Sequence, residues 1–154
     1  MTMEITTNDP TLAAHFKSLN LAWLEKFFIV EPIDEHVLSH PEKIIQQGGF
    51  IFYLKDTDSV LGCCALKHHG NKVFELTKMA VTENHQGKGL GKLLMDACIQ
   101  QFISAEGLSL YLETNSSLKP AIKLYERYNF TAKACPFATP YDRADYYMEW
   151  QGIK

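Results

Sequence analysis

The chain reads as an α/β (α+β) protein of one domain, with a mixed, mostly antiparallel sheet and flanking helices. Two observations predict this. Three strand-like runs, Phe50–Lys55, Val60–His68 and Lys72–Val81, follow one another across the short polar separators 55–59 and 69–72, which have the composition of hairpin turns. The third run and a later strand, Leu108–Glu113, are joined through a long helical stretch, the connection that a parallel pair requires.

Taken in order, Met3–Thr7 alternates as a short first strand. Asn8 or Asp9 can cap a helix running to about Phe28, with Pro10 at its first position. His40–Gln47 is a second short helix stopped by Gly48-Gly49. After the three strands, Leu90, Leu93, Leu94, Ala97, Cys98 and Phe102 form the apolar stripe of a helix reaching Ala105, ended by Gly107. Leu108–Glu113 is apolar enough to be central. Ser117 can cap the next helix, whose first turn holds Pro120 and whose one face carries Ala121, Leu124, Tyr125 and Tyr128. Asn129 ends it in a left-handed conformation, and Phe130–Ala134 and Ala144–Trp150 close the chain as strands.

At 154 residues, 46% hydrophobic and 21% charged, the chain has the size and composition of a single globular domain spanning 1–154. Residues 1–4 lack a basic stretch followed by an apolar one, and no segment is long and apolar enough to cross a bilayer. Neither secretion nor membrane insertion is expected, and a cytoplasmic location is. Cys63, Cys64, Cys98 and Cys135 have no C-x-x-C or framework spacing, so reduced thiols are expected. A net charge of −3 without a Lys/Arg run argues against a nucleic-acid partner.

Gln86-Gly87-Lys88-Gly89-Leu90-Gly91 lies between the third strand and the long helix. Its glycines permit tight turns, and the helix's first N–H groups lack intrahelical acceptors and carry the positive end of the dipole. Phosphate or pyrophosphate is the expected occupant. The loop is not a Walker A motif, because Leu93 follows Gly91-Lys92 where a hydroxyl would hold magnesium. Nor is it a dinucleotide fingerprint, since Lys92 stands where the third glycine belongs. His68-His69 lacks a third ligand at metal-binding spacing, so no metal is expected and solvated imidazoles are. His85 could face phosphate or serve as exposed polar filler.

The Gln-x-x-Gly-x-Gly pattern opening a long helix resembles the GNAT superfamily of N-acetyltransferases. The resemblance covers essentially the whole chain, and most specifically Phe74–Gly91, Leu112–Asn115 and Ala121–Phe130. Trp23–Pro32 and Tyr141–Met148 are similar to a bacterial GNAT subgroup also found fused to MarR-type regulators. Asn129 departs from the glycine usual in the family, but tolerates the same backbone conformation. The resemblance implies acetyl-CoA as donor and a sheet whose parallel strands splay to admit it. The N–H groups of Gly87, Lys88, Gly89, Leu90, Gly91 and Lys92, after Gln86, would hold the pyrophosphate. The main chain of Met79, Ala80 and Val81 would pair with the pantetheine by strand addition.

Acetyl transfer to an amine needs a neutral nucleophile. A lysine-like amine is neutral in roughly one molecule in a thousand at pH 7.4, so a base is expected. Glu75 is the candidate, through a match to a family glutamate on this strand; the alternative is a solvent-facing carboxylate paired with Lys72 or Lys78. Tyr125 is the candidate general acid for the departing sulfur, matching the family tyrosine; periodicity alone would make it a core aromatic with a satisfied hydroxyl. Asn115 would bond to pantetheine or cap a turn. No Cys lies in a nucleophile arrangement, so direct attack in a ternary complex is expected. Trp23, Glu31, Tyr141 and Arg143 would border the acceptor, with Glu31 facing a cationic amine and Arg143 a carboxylate. The acceptor is expected to be a small amine or amino-acid-like molecule, with a peptide or protein amine open. A monomer or homodimer is expected. The competing function is a non-catalytic acyl-CoA-binding regulatory module.

Overall fold

The computed structural model describes residues 3–153. Its single sheet has the order β1-β2-β3-β4-β5-β7-β6, from β1 (Glu4–Thr7), β2 (Phe50–Lys55), β3 (Val60–His68), β4 (Val73–Val81), β5 (Ser109–Thr114), β6 (Phe130–Lys133) and β7 (Tyr146–Trp150). Only β4 and β5 are parallel, and their pairing stops after Val73↔Ser109, Phe74↔Leu110 and Glu75↔Tyr111. Beyond that last rung the two strands separate, which is the splay expected of the pair.

Alternation along the strands divides the core into two layers. One sheet face presents Phe52, Leu54, Cys64, Leu66, Phe74, Leu110, Leu112 and Met148 to α4 (Leu90–Ser104) and α5 (Lys119–Arg127). The other presents Ile51, Tyr53, Cys63 and Ala65 to Phe16 and Leu24 of α1 (Ala13–Phe27), Leu38 of α2 (Pro32–Ser39) and Ile44 of α3 (Pro41–Gln46). Each fully buried aliphatic or aromatic side chain stabilises by about 1.5–3 kcal/mol.

The local signals worked through different atoms in places. Asp9 Oδ1 caps through Thr11 N at 3.0 Å, but the turn it opens, Pro10–Leu12, is 3-10, with α1 beginning at Ala13. Asn8 instead accepts from Ile51 N at 2.8 Å. The left-handed residue ending α4 is Glu106 (φ 55°), not Gly107. Gly107 N donates to Phe102 O and Glu106 N to Ile103 O, a Schellman ending. Glycine is required at 107 for space, since a Cβ there would sit 2.2 Å from the Phe102 ring. Ser117 is not the cap of α5; its hydroxyl donates to Asn115 Oδ1 at 2.6 Å, and Leu118 precedes the helix. Asn129 adopts φ 74°, as expected of the residue closing α5.

The sequence reading has no counterpart to α2. Its start carries Pro32 at the first position and acidic Asp34 and Glu35 in the first turn, and Asp34 Oδ2 accepts from Glu31 N at 2.9 Å. Glutamate is an uncommon N-cap, which hid the boundary. Among the described residues no helix is long and apolar enough to cross a membrane.

Candidate active site at the strand fork

Where β4 and β5 part, a cavity of about 420 Å³ opens, reached by Glu75 to Val81 on one side and Leu112 to Asn115 on the other. A bulge in β4 shapes its wall: Cys63 pairs with Ala80 but Ala65 with Thr77, leaving Lys78 and Met79 opposite Cys64. Lys78 accommodates the extra residue at φ 57°. Thr82 N donates to Leu61 O at 2.8 Å, so in this register Ala80 directs its backbone groups at β3. Met79 and Val81 therefore turn theirs toward the gap. Val81 O there accepts from Gln86 Nε2 at 3.1 Å, giving Gln86 the task of closing the loop onto the strand.

At the far end lies the glycine loop. Gly87 (φ 79°) and Gly89 (φ 80°) are left-handed, and a Cβ on either would meet nothing within 4 Å, so conformation rather than space demands glycine. Gly89 immediately precedes α4, whose first turn has no acidic residue and contains Lys92. A cation in that turn opposes the helix dipole unless an anion sits between them. Gln86, Gly87, Gly89, Leu90, Gly91 and Lys92 line the cavity, while Lys88 is exposed outside its lining.

Tyr125 reaches the cavity from α5, its ring edge-on to Phe130 at 6.2 Å. Its hydroxyl has no hydrogen-bond partner among the described residues, contrary to the satisfied core aromatic that periodicity alone suggested. Burial raises its pKa to about 12, so it stays protonated at neutral pH. Asn115 also lines the gap but is engaged in its turn, accepting from Ser117 N at 2.9 Å and donating to Arg143 O at 2.8 Å.

Glu75 is buried, 7% exposed, and pairs with neither Lys72 nor Lys78. Its Oε1 lies 2.9 Å from His69 Nε2 and accepts from the Tyr111 hydroxyl at 3.4 Å. The His69 imidazole, expected to be merely solvated, lies outside the cavity lining but contacts Glu75. Two residues along β5 is Glu113, whose carboxyl burial raises above the usual 4.5, helped by the Glu75 charge and opposed by a hydrogen bond from Thr139.

The acceptor-side residues meet, but not as free groups. Arg143 Nη1 donates to Glu31 Oε2 at 3.0 Å and to Asp34 Oδ2 at 2.6 Å, and Nη2 to Asp34 Oδ1 at 2.7 Å. Lys78 Nζ also donates to Asp34, at 2.6 Å. The cations Arg143 and Lys78 thus balance the carboxylates Glu31 and Asp34, so neither Glu31 nor Arg143 stands as a free charge. Burial pushes Asp34 up, but the hydrogen bonds from Arg143 and Lys78 outweigh it and hold its pKa at about 2. Tyr141 lies under both cations, 4.6 Å from Lys78 Nζ and 4.9 Å from the Arg143 guanidinium carbon. Trp23 lines the opening beside Phe28, their rings 5.7 Å apart.

Asp34, Lys78, His69, Tyr111 and Glu113 were not recognised from sequence. Lys78 had a signal, a charge inside an apolar strand; Tyr111 is the β5 partner of Glu75, and Glu113 follows it by two residues on the same face. Asp34 had none once α2 was missed.

The sequence model of the acetyltransferase (GNAT) family matches residues 16–130, and the chain belongs to that family. It is similar to mycothiol acetyltransferase of Actinosynnema mirum, 29% identical over 98 residues that make up 64% of this chain and 33% of that one. The chain spans 33% to 50% of the length of the first curated relatives it matches. Its fold is that of a GNAT-family acetyltransferase from Staphylococcus aureus Mu50, at TM-score 0.86 and 16% identity over 97% of this chain and 98% of the other. It is shared with yncA from Salmonella typhimurium, solved with its cofactor acetyl-CoA, at TM-score 0.77 and 20% identity over 98% and 94%.

Proposed function

We propose that residues 1–154 form one acetyl-CoA-dependent N-acetyltransferase domain that transfers acetyl to a primary amine by direct attack within a ternary complex. The observation that carries this reading is the fork between β4 and β5. It joins, in one cavity, main-chain groups of Met79 and Val81, a left-handed glycine loop at a helix N-terminus, a protonated Tyr125 and a buried Glu75. These residues fit the cofactor. The loop's N–H groups and Lys92 suit its pyrophosphate, the unpaired edge of β4 suits its pantetheine amides, and the remaining N–H of the Asn115 amide is available to it.

When bound, acetyl-CoA supplies an acyl carbon activated as a thioester. The chain's own residues supply the rest. Glu75 takes a proton from the incoming ammonium, making the amine nucleophilic, and Tyr125 holds a proton where a thiolate would depart. With Lys78 and Arg143 committed to Asp34 and Glu31, the acceptor mouth retains the carboxylates of Glu75 and Glu113 beside the aromatic ring of Tyr141. That balance supports a small amine bearing a second positive charge over an amino acid whose carboxylate would seek a free arginine. A cytoplasmic location is part of the reading, in keeping with cysteines present as thiols.

Thiol release from acetyl-CoA, followed across a panel of diamines, polyamines, monoamines, amino acids and peptides, tests the proposal. Amine-dependent release with an acetylated amine in equal amount is the expected result. Tight CoA binding with no release across the panel would instead support the regulatory-module alternative.

A further inference from the structure

The base proposed above is buried, and a bound donor and acceptor would stand between it and the cavity opening. Glu75 is on the last paired rung of β4 and β5, 7% exposed, and its cavity side faces the space an acceptor and donor would fill. Each turnover leaves a proton on this carboxylate, and the next cannot begin until it departs. On the opposite side of Glu75, the hairpin between β3 and β4 carries His69, whose backbone N–H is fixed to Val73 O at 2.8 Å. Its Nε2 lies 2.9 Å from Glu75 Oε1, its side chain is 34% exposed, and Nδ1 has no partner among the described residues. The Tyr111 hydroxyl, 3.0 Å from Nε2 and 3.4 Å from Oε1, holds the two together, and its ring stacks 5.6 Å from Tyr147.

We propose that His69 is a positioning and relay residue that acts through Glu75, carrying the proton taken from the amine out to solvent, with Tyr111 aligning its ring for the transfer. The inference rests on the acetyltransferase reading. In the Nδ1–H tautomer, Nε2 presents a lone pair to Glu75. The ammonium N–H bond breaks and its proton joins Glu75. It then passes to Nε2, restoring the carboxylate and leaving an imidazolium paired to it at the observed separation. The imidazolium then turns about its Cβ–Cγ bond toward the exposed side of the hairpin, loses the Nε2 proton to bulk water, and returns as the Nδ1–H tautomer with the Nε2 lone pair facing Glu75. The ionisable groups around the pair are Lys67, which faces Glu75 in the β3 register, Tyr111 and Glu113 on β5, Lys78 on β4 and Tyr141 beyond them. Of these, His69 alone joins an exposed ring nitrogen to a direct contact with Glu75.

The test uses the amine from the panel that gives the fastest thiol release. His69→Gln can still donate a hydrogen bond to Glu75 but cannot carry a proton onward, and is expected to lower kcat at least tenfold with KM for acetyl-CoA unchanged. His69→Ala should regain turnover in proportion to added neutral imidazole, whereas Glu75→Gln should not respond to it. Full kcat in His69→Gln, or a loss in His69→Ala that imidazole leaves untouched while CoA still raises its melting temperature, overturns the relay alone. Absence of amine-dependent release by the unaltered protein overturns the acetyltransferase reading and the relay with it.

Discussion

Arg143 Nη2 lies 2.7 Å from Asp34 Oδ1, joining the loop before β7 to the first turn of α2 across the acceptor mouth. Asp34 is wholly buried and also receives Lys78 of the β4 bulge. Removing the carboxylate leaves the buried Lys78 without a counter-charge and Arg143 with Glu31 alone, so Asp34→Ala is expected to destabilise the fold by about 3–5 kcal/mol, read from denaturant unfolding.

The same residue predicts a pH dependence. Its carboxyl falls from 3.8 to about 2 on folding, so the stabilisation is complete above pH 3.8 and is lost as pH falls through 2. At about 1.4 kcal/mol per unit, the protein should lose roughly 2–3 kcal/mol across that window, and Asp34→Asn should lack this step. Denaturant unfolding at a series of pH values checks it.

Gly89 offers a test of the loop. Its φ of 80° strains any residue with a Cβ, while nothing within 4 Å would clash with one. Gly89→Ala should therefore cost about 1–2 kcal/mol through the backbone, and CoA affinity should fall, as read by calorimetric titration. Lys88→Ala, outside the cavity lining, should change affinity far less.

Tyr125→Phe removes the hydroxyl but keeps the ring against Phe130. Turnover is expected to fall about 100-fold with CoA binding and melting temperature preserved. Because burial holds the phenol at about 12, loss of its proton should not limit activity below about pH 11.

Glu113 distinguishes acceptors. Its carboxyl lines the same cavity as Glu75, and burial raises its pKa with the Glu75 charge adding to the rise. Glu113→Gln should raise KM about tenfold for a diamine and leave a monoamine of equal length nearly unchanged, in steady-state kinetics.

The antiparallel run of β2, β3 and β4 was legible because each strand from Phe50 to Val81 alternates or is apolar throughout, and the turn residues between them are polar and short. The anion loop was legible because glycine at left-handed positions leaves a local trace. The acceptor mouth was not. Arg143 and Asp34 are 109 residues apart in sequence, and neither carries a sign of the other. His69 looked like a surface residue because it lies in a turn, and only the pairing of β4 with β5 brings Tyr111 beside it. Tyr125 was read correctly as apolar in its packing, but what its hydroxyl meets is a property of the gap, not of helix periodicity.

Direct attack requires that acetyl go straight from thioester to amine in this cavity, with no acetyl held by the protein. Intact-mass measurement of the protein after mixing with acetyl-CoA, before and after addition of the preferred amine, answers that. The expected result is a protein of unchanged mass throughout, with thiol and acetylated amine appearing in equal amounts only once amine is present. An acetyl adduct on the protein that disappears on adding amine, or thiol release indifferent to amine, would contradict it.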